Sequence, residues 1–373
     1  VVQAYTLIEG RDCPAVSIYL TIDEATLEIT GRETKLERVP IAANLRHDKL
    51  DHVITDATLT GAAPADYAFA PELAFAYRLA KDLKAKREVV RGKPETFNRP
   101  DYNFRLDNDG GAVEPAGAEQ VTITVRQRGA ALDLIVAEAM ILANSNWGAI
   151  LAECGVPGIY RSQASLAPGM KVRMGTKPAP HAGMGVAQYT WATSPLRRYV
   201  DLVNQWQIIA CARHGRTAAL VAPFKPKDAQ LFSIISGFDA AYSAYNGFQQ
   251  GVERYWTLRY LQQNGITELT ASVLKDGLVR ADELPLVFRA LGCEQLPRNS
   301  HVKVRITGLD ELTLDVHASL IERLDEAAPP AGDAESESEE DEEPSGVLTL
   351  AIDVNADDAA GSDAPPPAPG AAP

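Results

Sequence analysis

The run Ala192-Thr193-Ser194-Pro195-Leu196-Arg197-Arg198-Tyr199-Val200-Asp201 holds more potential chemistry than any other stretch of the chain. Serine is a strong helix N-cap and proline is pre-organised for the first helical position, so Ser194-Pro195 predicts a helix start. An apolar-rich pattern continues through Trp206, Ile208, Ile209 and Cys211, and Gly215 is placed to close the helix. Arg197 and Arg198 then fall in the first turn, where two cations oppose the positive end of the helix dipole. Free backbone N–H groups and two guanidinium forks together suit an anion, and phosphate fits best. The competing reading is structural. Asp201 stands four residues after Arg197 and three after Arg198, the spacing of helix-surface ion pairs.

A second candidate is a single carboxylate. Residues 132–151 are apolar almost all round, which predicts a buried helix, and Glu138 sits inside it. A buried ionised acid is costly unless it is paired or liganded. Glu138 is therefore either satisfied by an internal arginine or part of a functional site.

With His181 eight residues before Tyr189, the Thr193–Asp201 run resembles the signature of the ribonuclease II / RNase R family, the RNB exoribonucleases. Three upstream blocks match in order: Arg99-Pro100-Asp101-Tyr102-Asn103-Phe104, Ala137-Glu138-Ala139-Met140-Ile141-Leu142-Ala143-Asn144, and Gly158-Ile159-Tyr160-Arg161. The resemblance covers residues 1 to about 320. There are departures. Ala137 replaces a second acid, Trp191 stands where many members have His, and Asn204-Gln205-Trp206-Gln207 replaces a common His-Arg. The family's metal-binding aspartate run is not found, and the chain opens at Val1. We read it as a fragment of a longer protein, cut after the metal aspartates.

The resemblance implies a 3′→5′ exoribonuclease that degrades single-stranded RNA to nucleoside 5′-monophosphates in RNA decay. Its Mg²⁺ would act in the full-length enzyme, the ligands being absent here. Arg197 is the expected catalytic residue, stabilising charge on the scissile phosphate. Arg198, Ser194 and Thr193 are expected to position a phosphate, Tyr189 to line the RNA channel, Glu138 to contact terminal nucleotides or hold Arg197, and Phe97 to stack the 3′ base. His181 is read equally as a structural residue or a ligand. The alternative is an RNA-binding module or pseudoenzyme without catalysis. A purely structural scaffold is disfavoured by the paired arginines.

The formal charge of −14 is uneven. From Asp325 onward there are 14 acids and no Lys or Arg, so the body holds 36 of each sign. A neutral body binds RNA only if its cations converge. Cys13, Cys154, Cys211 and Cys293 are far apart in sequence and form no metal-type pair, which suits a reducing cytoplasm. With no uninterrupted apolar run of 18 residues, no membrane span is expected. The protein is expected to be a cytoplasmic monomer.

The elements that must carry these residues predict an α+β fold. Residues 15–22 and 27–29 read as strands, with a loop starting at Val39-Pro40-Ile41. Residues 72–91 have helical spacing up to Gly92, with a basic end read as solvated. Residues 102–125 read as strands around an Asn108-Asp109-Gly110-Gly111 turn. Residues 240–263 predict a helix with an aromatic stripe, read as core rather than a stacking platform. Five short β-type runs in residues 269–324 predict a closed OB-fold barrel. Its cations (Lys275, Arg280, Arg289, Arg298, Lys303, Arg305) with Phe288 as lone aromatic imply backbone grip over base stacking. The expected division is a partial RNB catalytic domain (1–265), an OB-fold barrel (266–324) and a disordered acidic Ala/Pro-rich tail (325–373). The tail either competes with RNA or aids solubility, and the alternation in 347–354 is its one candidate strand.

Overall fold

The computed structural model describes residues 2–95, 101–107, 119–126, 129–167, 170–325 and 351–352. In chain order the elements are α1 (Val2–Tyr5), β1 (Asp12–Ile22), β2 (Ile29–Pro40), α2 (His47–Leu50), α3 (Asp56–Leu59), α4 (Ala70–Arg91), β3 (Asp101–Asp107), β4 (Gln120–Arg126) and α5 (Ala131–Glu153). They continue with β5 (Tyr160–Ser162), β6 (Arg173–Gly175), α6 (Tyr199–His214), α7 (Ala218–Val221) and α8 (Ala229–Gln263). The last are β7 (Glu268–Val273), β8 (Leu278–Ala281), β9 (Val287–Leu291), β10 (His301–Asp310), β11 (Asp315–Arg323) and β12 (Ala351–Ile352). The fold is α+β, as expected. Among the described residues two compact units emerge: 2–95, 130–167, 170–241 and 351–352 in one, 101–107, 119–126, 129 and 242–325 in the other. The expected boundary at 265 therefore falls inside the second unit. The reason is burial: Leu258 and Leu261 of α8 and Ile123 of β4 pack in the barrel's core.

In the first unit β1 and β2 pair antiparallel from Asp12↔Pro40 to Ile22↔Ile29. The expected loop at 39–41 gives way to strand as far as Pro40. The Asp23 carboxylate turns the hairpin by accepting from the Ala25 and Thr26 N–H groups at 3.0 and 2.8 Å. α4 ends as predicted at Gly92, whose φ of 80° suits the residue that closes a helix. α5 has the length and apolar composition of a membrane span, though Asp133 and Glu138 interrupt its apolar run. Here it serves as a core helix. Ile141 packs with Trp191, Val200, Leu231 and Ile235. Trp147 and Leu151 pack with Tyr160, Ile208 and Cys211. Each fully buried side chain of this size contributes roughly 1.5–3 kcal/mol. The cysteines are not all apart: Cys154 and Cys211 share one packed cluster, and burial pushes the Cys211 thiol up to about 12.

α6 begins at Tyr199, with Arg198 as its N-cap. This corrects the placement of Ser194 as cap and of both arginines in the first helical turn. Pro195, Leu196 and Arg197 form a separate turn in which the Ser194 carbonyl accepts from the N–H groups of Arg197 (3.2 Å) and Arg198 (3.0 Å). Gly215 does close the helix, its N–H donating to the Cys211 carbonyl.

In the second unit β3 and β4 pair antiparallel; the predicted turn between them lies outside the described residues. β7 to β11 close a barrel. Neighbours around it are β7, β8, β9, β11, β10 and again β7, with β9–β11 the one parallel pair. This is the OB-fold order. α8 starts earlier than predicted, at Ala229. Of its aromatics, Trp256 is core, while Tyr245 and Phe248 are exposed, against the core reading of the stripe. In the acidic tail, β12 pairs parallel with β6 through Ala351↔Arg173; the rest lies outside the described residues.

Candidate functional site

The signature segment is held from two sides by amides of the helices it crosses. From α5, Asn144 reaches four of its residues. Its Nδ2 donates to Tyr189 Oη (3.2 Å) and Thr193 Oγ1 (3.5 Å), its Oδ1 accepts from Ala192 N–H (3.0 Å), and its carbonyl accepts from Thr190 Oγ1 (2.9 Å). From α6, Asn204 Nδ2 donates to the Trp191 carbonyl (2.8 Å) and Gln205 Nε2 to that of Ala192 (2.7 Å). Asn204 also clamps residue 159 through both its N–H (2.7 Å) and its carbonyl (3.0 Å). Buried amides in apolar helices persist only when so satisfied. Of the residues that replace the family's His-Arg, Asn204 and Gln205 are thus backbone clamps.

The two arginines of the signature have different fates. Arg198 is fully engaged: Nε and Nη2 donate to the two carboxylate oxygens of Asp201 at 2.8 and 2.7 Å. Asp201 is wholly buried and also accepts from the Ser194 N–H at 2.8 Å. The Arg198 guanidinium lies 4.1 Å from the centre of the Trp191 ring, and that of Arg161 lies 3.9 Å from it. Trp191 is thus stacked by two cations. Arg197 is exposed, and forms no ion pair among the described residues. The structural reading of Asp201 therefore holds for Arg198 and not for Arg197.

Glu138 is buried and takes the internal-arginine alternative. Arg87 Nε donates to its Oε2 at 2.9 Å, and Nη2 to its Oε1. Arg87 also bonds Glu95 Oε2 (2.9 Å) and the Met184 carbonyl (2.7 Å). Burial works against the charge, but the two carboxylates outweigh it and hold Arg87 protonated above its ordinary value. Arg87 was read as part of a solvated basic face; it is 8% exposed. Glu138 holds Arg87, and no bond joins it to Arg197.

His181 is buried, and its Nδ1 accepts from the Met184 N–H at 3.2 Å. Burial, then the nearby Arg161 charge, pushes its pKa down to about 3. Its ring meets that of Tyr189 edge to face, with centroids 5.8 Å apart. Tyr189 is itself only 5% exposed. The tight turn after His181 needs Gly185, which has φ +65°; a Cβ there would lie 2.3 Å from the Arg87 carbonyl oxygen. Phe97 lies outside the described residues. One network thus joins Glu138, Arg87, the His181–Gly185 turn, Tyr189, Asn144 and Thr193. Motif matching missed Arg87, Asn144, Asn204 and Gln205 as its struts. Only Asn144, a polar side chain within the strongly apolar α5, carried a signal of this kind; α4 and α6 hold many polar residues, and nothing in their pattern singled out Arg87, Asn204 or Gln205.

Two cavities lie away from this network. One of about 570 Å³ is lined by Glu24, Leu59, Phe75, Arg78 and Lys81, and one of about 360 Å³ by Leu7, Pro40, Leu45 and Phe69. Among the described residues no three His, Cys, Asp or Glu side chains form a metal-holding group. The described residues therefore do not offer the carboxylate set that Mg²⁺ requires. In the barrel, Phe288 is buried inside and cannot stack a base. Glu268 pairs with both Lys303 (2.8 Å) and Arg305 (3.0 Å), and Arg289 donates to the Asp276 carbonyl (2.8 Å).

An α+β unit built around this signature, and an OB-fold barrel, are the features expected of an RNB-type protein. The chain belongs to the RNB domain family, whose sequence model matches residues 1–169 and 162–214. It is 27% identical to an uncharacterized ribonuclease, sll1290, of Synechocystis sp., across 78% of this chain and 42% of that protein. It is 26% identical to the mitochondrial exoribonuclease II of Saccharomyces cerevisiae, across 48% of this chain and 20% of that one. The chain thus spans less than half the length of these curated relatives. RNase R of Mycoplasma genitalium in its apo form shares the fold, with a TM-score of 0.65 at 12% identity over 86% of this chain and 59% of that one.

Proposed function

We propose that this chain supplies the RNA-holding part of a 3′→5′ exoribonuclease site that releases nucleoside 5′-monophosphates from single-stranded RNA. The observation that carries the reading is the split between the two arginines. Arg198 is consumed by Asp201 and Trp191, which fixes the turn and leaves Arg197 exposed as the cation for a phosphate. In this reading Arg197 is the catalytic residue. Its planar fork meets charge that develops on the scissile phosphate. Ser194 and Thr193 present the turn to the phosphate, and Arg198 positions that turn instead of binding phosphate itself. Tyr189 and Glu138 act from within, holding the segment that RNA meets. Phe97 remains proposed for the 3′ base. Support for RNA as the partner comes from the family and from Mycoplasma genitalium RNase R, solved in complex with ribose methylated single-stranded RNA. The protein is proposed to be a cytoplasmic monomer.

A metal-dependent phosphodiesterase needs carboxylates to hold its ions, and those described here do not converge. The 373-residue chain is therefore expected to bind RNA without shortening it, which is also the behaviour of a non-catalytic RNA-binding module. The test is a labelled single-stranded RNA ladder with Mg²⁺ or Mn²⁺. Stepwise shortening by this chain would overturn the assignment of the missing carboxylates, and absence of binding would overturn the RNA reading.

A further inference from the structure

The outer face of α6 is apolar where a surface helix is ordinarily polar. Tyr199, Leu202, Trp206 and Ile209 recur at steps of three and four residues and so form one stripe. Tyr199 is 48% exposed and Trp206 36% exposed, while Leu202 and Ile209 are half-buried. The two aromatic rings meet edge to face, with centroids 6.1 Å apart, an arrangement that leaves ring faces uncovered by the pair. A cation stands at each end: Arg197 just before the helix and Arg213 in its last turn, both exposed and neither in an ion pair among the described residues. The one acid of the helix, Asp201, is buried and already paired. Trp206 also falls in the run that departs from the family pattern.

An exposed apolar patch of this kind marks a binding surface. Its charge decides the occupant. Aromatic rings bracketed by uncompensated arginines, with no exposed acid on the stripe, complement a strand that carries bases on one side and phosphates on the other. We propose that this face of α6 is a base-stacking ledge for single-stranded RNA, continuous with Arg197, with Tyr199 and Trp206 taking bases and Arg213 a flanking phosphate. The proposal rests on the RNA-binding reading above and adds to it residues outside the phosphate-holding turn.

The experiment titrates the 373-residue chain with a fluorescent oligouridylate and with an abasic ribose-phosphate oligomer of equal length. The proteins are the parent chain, Tyr199→Ala, Trp206→Ala and Trp206→Phe, each checked for an unchanged melting temperature. Each alanine variant is expected to weaken oligouridylate binding by roughly 5- to 100-fold. Binding of the abasic oligomer and the salt dependence should not change, and Trp206→Phe should retain most of the affinity. If the parent binds oligouridylate and the alanine variants bind it equally well, the ledge is refuted while the RNA reading stands. If the variants alter only self-association of the chain, the stripe is a protein interface and the ledge is likewise refuted. If the parent binds neither oligomer, both readings fail.

Discussion

Arg197 and Arg198 are neighbours of the same chemical type, and the structure assigns them opposite consequences on mutation. Asp201 is fully buried and accepts three hydrogen bonds, two of them from Arg198. Arg198→Ala would leave that carboxylate buried with only the Ser194 N–H. Breaking a buried pair on one side costs about 3–5 kcal/mol. For a unit of about 200 residues, 1 kcal/mol moves the melting temperature by about 2–4 °C, so a fall of roughly 6–20 °C is expected. Arg197 is exposed and unpaired among the described residues, so Arg197→Ala should stay within about 0.5 kcal/mol of the parent. RNA binding should invert the order. Each phosphate contact with a single strand contributes about 0.7 to the slope of log K against log salt. Arg197→Gln should flatten that slope by about this amount, while Arg198→Gln, assayed below its melting temperature, should leave it unchanged. In any form of the protein that cleaves RNA, Arg197→Ala should slow turnover by about 10²–10³-fold. Arg197→Lys should rescue little, because an ammonium lacks the planar fork. Thermal melts and salt-dependent titrations of the variants decide the matter. Equal losses of melting temperature for Arg197→Ala and Arg198→Ala would refute the division of labour.

His181 is held neutral with a pKa near 3 against an ordinary value of 6.5; the unfolded chain therefore binds the extra proton first as pH falls. Its contribution is complete above pH 6.5 and is lost progressively toward pH 3, about 2 kcal/mol of it by pH 5. Denaturation at several pH values should show that slope in the parent and a flatter one in His181→Asn. Gly185→Ala forces a Cβ against the Arg87 carbonyl at positive φ, and urea melts should show a loss of roughly 1–3 kcal/mol. Glu268→Gln frees Lys303 and Arg305; RNA titrations should show tighter binding and a steeper salt dependence, and an unchanged slope would place the barrel's cations away from RNA.

Local pattern was enough for the elements whose burial follows from their own periodicity. The alternation of the barrel strands, the helix ending at Gly92 and the apolar α5 were all readable, because each element's partner face is written in its own residues. The family signature was equally legible, since its residue types and spacing lie within one short run. What the chain order could not show was which charge meets which. Glu138 looked free to serve Arg197 until α4 brought Arg87 beside it. Asp201 stood at helical spacing from both arginines, and only the backbone turn at Pro195–Arg197 decided that Arg198 takes it. The late start of α6 has the same origin. Ser194 gives its N–H to a buried carboxylate seven residues on, a contact stronger than the capping preference of an isolated helix. Ion pairing and capping at a buried site are settled by desolvation, which depends on every element packed around the group. The signature's presence was therefore a property of sequence, while the freedom of Arg197 and the confinement of Arg198 belong to the tertiary structure alone.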